Sequence, residues 1–187
     1  RLTALENSIQ PASNNILDLT NGGTIQGNLN VIGNLNITGP VTMSSLTVTD
    51  DVVIAGNLTV QNVTVANLTV NGHIITAGNT PTATVGTAAG VEDTNNNIPA
   101  PQVTIEGNDT SGTITIVAGA NTATGTLVEV NFDKQFTKTP KVVLTAGNEK
   151  TSEIRFFRSA ETGKFLINLK DAPQANQTYQ FDYFVVQ

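Results

Sequence analysis

Apolar residues between Leu29 and Ile74 occur in pairs separated by one spacer, and the pairs recur with a short period. They are Leu29/Val31, Leu35/Ile37, Val41/Met43, Leu46/Val48, Val52/Ile54, Leu58/Val60, Val63/Val65, Leu68/Val70 and the looser Ile74/Thr76. Successive pairs start 6, 6, 5, 6, 6, 5, 5 and 6 residues apart. In an extended segment residues i and i+2 share a face, so Leu58 and Val60 point one way and Thr59 the other. The spacers of the first eight pairs are Asn or Thr at seven, with Val53 the exception. Between pairs lie Gly33-Asn34, Gly39-Pro40, Asp50-Asp51, Gly56-Asn57 and Gly72-His73, where Gly and Asn are expected to supply the positive φ of a corner. A short fixed period of this kind marks a quasi-one-dimensional architecture, so residues 24–76 read as a shaft.

Two windings fit this pattern. One chain could coil as a left-handed β-helix, or three chains could intertwine about a common axis. The interior of a left-handed coil is narrow and takes a small residue at one of its two inward positions, whereas here both are large. Steps of five would also break a regular corner. The pattern therefore favours an intertwined triple-stranded β-helix in a homotrimer, with Leu29, Val31, Leu35, Ile37, Leu46, Val48, Leu58, Val60, Leu68 and Val70 among its core. A single chain could not bury that row, so assembly becomes the expected source of stability.

Other segments follow other periods. Leu2, Leu5 and Ile9 have the 3–4 spacing of a coiled-coil seam, and Pro11 stops that helix. Residues 1–23 thus read as the end of a coiled-coil stalk and a transition. Residues 77–102, rich in Gly, Ala, Thr, Asn and Pro, read as a connector with a short strand near Val85 or Val91. Residues 103–187 alternate with period two. Strands are predicted at 103–106, 113–118, 126–132, 141–146, 153–159, 164–170 and 178–186, separated by Gly, Asn and Pro turns. Val128, Val130 and Phe132 share a face, as do Phe165, Ile167 and Leu169, and again Tyr179, Phe181, Tyr183 and Val185. Seven strands at this spacing predict an antiparallel β-sandwich or jelly-roll head, and the whole chain an all-β fold.

Composition sharpens this division. Charged residues make up 13% of the chain, about half the usual fraction of roughly 25%. All nine aromatics lie between Phe132 and Phe184. Residues 2–133 carry ten acidic and no basic side chains, whereas residues 134–187 carry five acidic and eight basic ones. The absence of cysteine excludes disulfides and thiolate chemistry. No apolar run approaches the ~20 residues of a membrane span, so membrane insertion is not expected. The opening at Arg1, with no signal peptide in view, suggests a mature or excised C-terminal part of a longer protein.

The repeats Gly56-Asn57-Leu58-Thr59-Val60, with relaxed copies at Gly27–Val31 and Gly33–Ile37, resemble the shafts of trimeric phage tail fibres and related bacterial surface fibres. The run Phe132–Leu144 and the closing segment Tyr179–Val186 are similar to the C-terminal heads that cap such fibres. They also resemble the spaced Phe, Pro and Val of trimeric H-type lectins. No sugar-binding residue of those lectins can be placed on this sequence, so carbohydrate binding is not inherited from the likeness. The resemblance covers about residues 24–187 and implies an extracellular homotrimer on a virion tail or bacterial surface.

Candidate chemistry is sparse. His73, the only histidine, has no nucleophile or carboxylate at a recognisable spacing, and no pair of catalytic carboxylates stands out, so an enzyme is not expected. Glu92-Asp93-Thr94-Asn95-Asn96-Asn97 and Asp50-Asp51 offer oxygen ligands without a defined cation pattern, and neither a metal nor a cofactor is assigned. Lys150, Arg155, Arg158 and Lys164 form the candidate ligand-binding set, in or beside two neighbouring strands. Tripled in a trimer, they would attract an anionic cell-surface polymer. Against this, Glu149, Glu153 and Glu161 stand close enough to neutralise them. The modest positive charge of residues 134–187 argues against nucleic acid. The expected function is therefore attachment to a cell-surface receptor or glycan. The alternatives are a purely structural fibre whose head is a trimerisation cap and, after it, a glycan-degrading tail spike.

Overall fold

Period-two alternation of β-branched and aromatic residues makes strands with one apolar face, and two such sheets bury those faces against each other. The computed structural model describes residues 28–187, and the predicted coiled-coil end lies outside them. Backbone packing divides the chain into residues 1–64 and residues 65–187.

The second unit holds eight strands: β1 (Thr82–Val85), β2 (Gln102–Gly107), β3 (Ser111–Val117), β4 (Gly125–Asn131), β5 (Lys141–Ala146), β6 (Phe156–Ala160), β7 (Lys164–Leu169) and β8 (Thr178–Val186). One helical turn, α1 (Glu149–Ser152), precedes β6. The strands form two four-stranded antiparallel sheets, β1-β4-β7-β6 and β2-β3-β8-β5. Only β2–β3 and β6–β7 are hairpins within a sheet; the other five connections cross between sheets. The inward rows meet in one core of Ile114, Ile116, Val130, Phe165, Ile167, Phe181 and their neighbours. Phe165 approaches Tyr183 at 5.5 Å between ring centroids, and Phe156 meets Phe181 edge-on at 5.1 Å. Aromatic contacts therefore join the sheets across the interior.

Three local features depart from simple alternation. A register shift between Thr126 and Val128 forms a bulge in β4, so consecutive Leu127 and Val128 are both buried. The strand predicted from 153 begins only at Phe156, because Asn148 caps α1 by accepting from the Thr151 N–H at 2.9 Å. The stretch read as a connector supplies β1, which pairs with β4, and then a 3-10 turn (Thr87–Ala89) whose Ala88 and Ala89 are fully buried. Small residues are required there. Gly90 sits at φ +87°, and an added Cβ would lie 2.1 Å from the Ala120 carbonyl oxygen.

Residues 28–75 are exposed at every position and contain no strand, so neither intrachain coiling nor strand pairing shelters the repeat. The backbone nevertheless bends at 32–33, 39, 44, 49–50, 55–56, 61, 66 and 71–72, once between each pair of apolar residues and the next. Most corners do not use positive φ as the sequence suggested. Gly33 has φ +123°, while Gly39, Gly56 and Gly72 turn without it. The sixteen side chains of the first eight pairs are 42–71% exposed, whereas the off-pattern Ile32, Val53 and Ile75 reach 88–95%. The paired residues are thus less exposed than the off-pattern ones.

Candidate functional site

The four candidate cations occupy α1 and the β6–β7 region, and each is already engaged within the chain. Lys150 lies on α1 rather than on a strand and pairs with Glu153 at 2.9 Å. Arg155 precedes β6 and meets Asp171 in a fork, with Nη2 at 2.6 Å from Oδ1 and Nε at 3.0 Å from Oδ2. The Arg155 backbone N–H donates to the same carboxylate. Those bonds hold the Asp171 carboxyl down at about 2 and raise the Arg155 guanidinium further. Arg158, within β6, donates from Nε to the Val142 carbonyl on β5 and so ties together the edges of the two sheets. Lys164, opening β7, pairs with Glu129 of β4 at 3.0 Å, which raises the amine and lowers the carboxyl. The structure thus gathers Arg155, Arg158 and Lys164 along β6 and β7, but as members of separate local pairings. Nearby, Lys170 stands 5.8 Å above the ring of exposed Phe157.

In the Glu92–Asn97 loop the Asp93 carboxylate is engaged by the loop itself. Asp93 Oδ1 accepts from the Asn95 and Asn96 N–H groups, and Oδ2 accepts from the Asn96 side-chain amide at 2.7 Å. These bonds lower the Asp93 carboxyl, the Asn96 side chain contributing most. Among the described residues no three His, Asp or Glu side chains converge in a way that could hold a metal.

The densest polar construction is one the sequence reading passed over. Asn108, 7% exposed in the β2–β3 turn, donates from Nδ2 to the Thr76 carbonyl and hydroxyl oxygens, each at 3.0 Å. Its Oδ1 accepts from the Thr110 and Ser111 N–H groups at 2.8 and 3.2 Å. Its own carbonyl accepts from the buried Tyr183 hydroxyl at 2.7 Å. Burial pushes that phenol up to about 12, with the Asp109 charge adding to the effect. Asp109 in turn accepts from the Asp133 and Lys134 N–H groups, both at 2.8 Å, and Thr76 Oγ1 lies 2.9 Å from Ser111 Oγ. The end of the repeat is therefore bonded to the sandwich. A polar hollow of about 260 Å³ opens beside it, lined by Gly78, Asn79, Asp109, Asp133 and Lys134 among others. A turn sequence such as Gly107-Asn108-Asp109-Thr110 is common, and only burial distinguishes this one.

The outer faces also carry apolar side chains. Val143, Phe184 and Val186 are exposed on the β5–β8 side of one sheet, and Phe157 on the other. Phe184 and Val186 were legible as residues alternating with the inward Tyr183 and Val185. Comparison with family models, with curated proteins and with solved structures finds no match to this chain.

Proposed function

We propose that this chain is part of a homotrimeric extracellular fibre, an intertwined β-helical shaft ending in a sandwich head that attaches to a cell-surface receptor or glycan. The observation that carries the reading is the exposed row of sixteen paired apolar side chains, interrupted by a bend at every step. Burying even half of one such side chain is worth on the order of 1 kcal/mol, and nothing among the described residues collects that gain. Copies of the chain wound about one axis would collect it at every level. The corner glycines support the same reading. A Cβ added at Gly39, Gly56 or Gly72 meets nothing within 4 Å, so the chain's own packing asks for no glycine there, whereas a neighbouring strand passing close by would. The internal pairing of Lys150, Arg155 and Lys164 favours the second reading, in which the head caps and registers the trimer without holding ligand through these cations.

Sedimentation gives the deciding measurement. The chain should sediment as a trimer at micromolar concentration, and Leu58→Asp should abolish assembly by setting three uncompensated charges near one level of the axis, while Thr59→Asp should leave it intact. A monomeric mass for the unmodified chain overturns the fibre. Attachment is then read as binding of the labelled trimer to cells or immobilised glycans. Loss on reversing Arg155 and Arg158 to Glu, together with weakening by salt, would support the cationic face. Absence of binding to any surface would leave the cap.

A further inference from the structure

Residues 65–76 belong to the same compact unit as the sandwich, so the last apolar pairs and the head can be read together. Thr76, which closes the pair Ile74/Thr76, lies against Ser111 through its hydroxyl. Ser111 is the first residue of β3, and its side chain alternates with the inward Ile114 and Ile116, so it stands on the outer face of its sheet. Its cross-strand neighbour on β8 is Phe184, and the neighbour of Phe184 on β5 is Val143. Both point outward, at 48% and 54% exposure, and Val186 lies two residues beyond Phe184 at 44%. The next row on the same face is polar, Thr113, Asp182 and Thr145, with the Thr113 hydroxyl donating to Asp182 at 2.6 Å. The exposed large apolar side chains of this sheet face thus lie at the end that the repeat reaches.

We infer that Val143, Phe184 and Val186 form the head's own subunit interface, covered by a second and third copy of this chain as the continuation of the shaft seam. The inference rests on the trimeric reading above. An apolar row that needs neighbouring copies up to Ile74, and is then bonded at Thr76 to the edge of an apolar patch, brings the same copies to that patch. Under a threefold axis running along the seam, three copies of Phe184 converge on it. Phe157 provides an internal control, being the same residue type at the same 48% exposure on the outer face of the other sheet.

The chain contains no cysteine, so single-cysteine variants of the full chain report directly. In the trimer, Phe184→Cys should oxidise to one disulfide per assembly, cross-linking two of the three chains. Its reaction with maleimide should be slowed about tenfold or more relative to Phe157→Cys, which should neither cross-link nor be protected. Val143→Cys should be protected in the same way, and loss of the trimer on Phe184→Cys alone would also count for the patch. A trimeric mass in which Phe184→Cys and Val143→Cys react as fast as Phe157→Cys and form no cross-link overturns the inference and leaves the fibre standing. A monomeric mass for the unmodified chain overturns both.

Discussion

Replacing Tyr183 by Phe should make the protein less stable at neutral pH and more stable at strongly alkaline pH. The phenol is 4% exposed, its ring packs on Phe165, and its hydroxyl donates to the Asn108 carbonyl at 2.7 Å. Removing the hydroxyl keeps the ring and deletes one buried hydrogen bond, a loss of about 1 kcal/mol, or somewhat more if the Asn108 carbonyl finds no water. The alkaline effect has the opposite sign. The native phenol is held up at about 12 against an ordinary value of 10.0, so folding favours the protonated form. That contribution is fully present below pH 10 and drains away as pH rises towards 12, by on the order of 2–3 kcal/mol over the two units. The wild type therefore loses stability across this window through Tyr183, and the Phe variant does not. Urea unfolding of both proteins at matched protomer concentration, at pH 7 and at steps from 9 to 12, gives the comparison. Lysine titration affects both alike and cancels in the difference. The stability difference should start near 1 kcal/mol in favour of wild type and change sign between pH 10 and 12. A difference that stays constant with pH would refute the argument that burial perturbs this phenol.

Two further outcomes follow from other parts of the sandwich. A fragment of residues 77–187 should unfold cooperatively, whereas 103–187, lacking β1 and the buried Ala88 and Ala89, should melt lower and bind a hydrophobic dye; equal melting temperatures would refute the role given to β1. The Asp171 carboxyl, held at about 2 chiefly by Arg155, contributes stability above its ordinary 3.8 that disappears as pH falls towards 2. An NMR titration should find its midpoint near 2 and find it raised towards 3.8 in Arg155→Gln, and an unmoved midpoint would discount the fork.

Where large β-branched and aromatic residues alternate, the sequence was sufficient to place strands. β5 and β8 begin and end where the alternation does, and the inward set Tyr179, Phe181, Tyr183 and Val185 is buried as a row. Alternation gives no signal where small residues carry the packing. Gly86, Ala88, Ala89 and Gly90 resemble linker composition, yet an added Cβ at Gly86 would lie 2.2 Å from the Thr126 carbonyl oxygen, so smallness there reflects crowding. Alternation also misleads before β6, where a capped helical turn displaced the first three residues of a predicted strand. The candidate cations were visible as residue types, and Glu153 was visible beside Lys150, with which it pairs, but the partners of the other three were not. Asp171 lies sixteen residues from Arg155, Glu129 thirty-five from Lys164, and the acceptor of Arg158 is a backbone carbonyl. Only folding brings such pairs together, and no local spacing announces them. Asn108 has no local signature for the same reason, since its partner Thr76 is thirty-two residues away.

The bonds from Asn108 to Thr76 also decide where tension enters the sandwich. A pull along the chain from the repeat would otherwise arrive through residues 77–81 at β1, a four-residue edge strand held on one side by β4, which can be peeled away one pair at a time. Clamped at Thr76, the same pull passes through Asn108 and Ser111 into β3, a seven-residue strand bonded on both sides, to β2 and to β8. Tyr183 anchors the clamp to the core from behind. The first part of the molecule to yield under traction would then be the polar clamp itself, a handful of hydrogen bonds whose rupture leaves both sheets whole and able to re-form the joint when the strain is released.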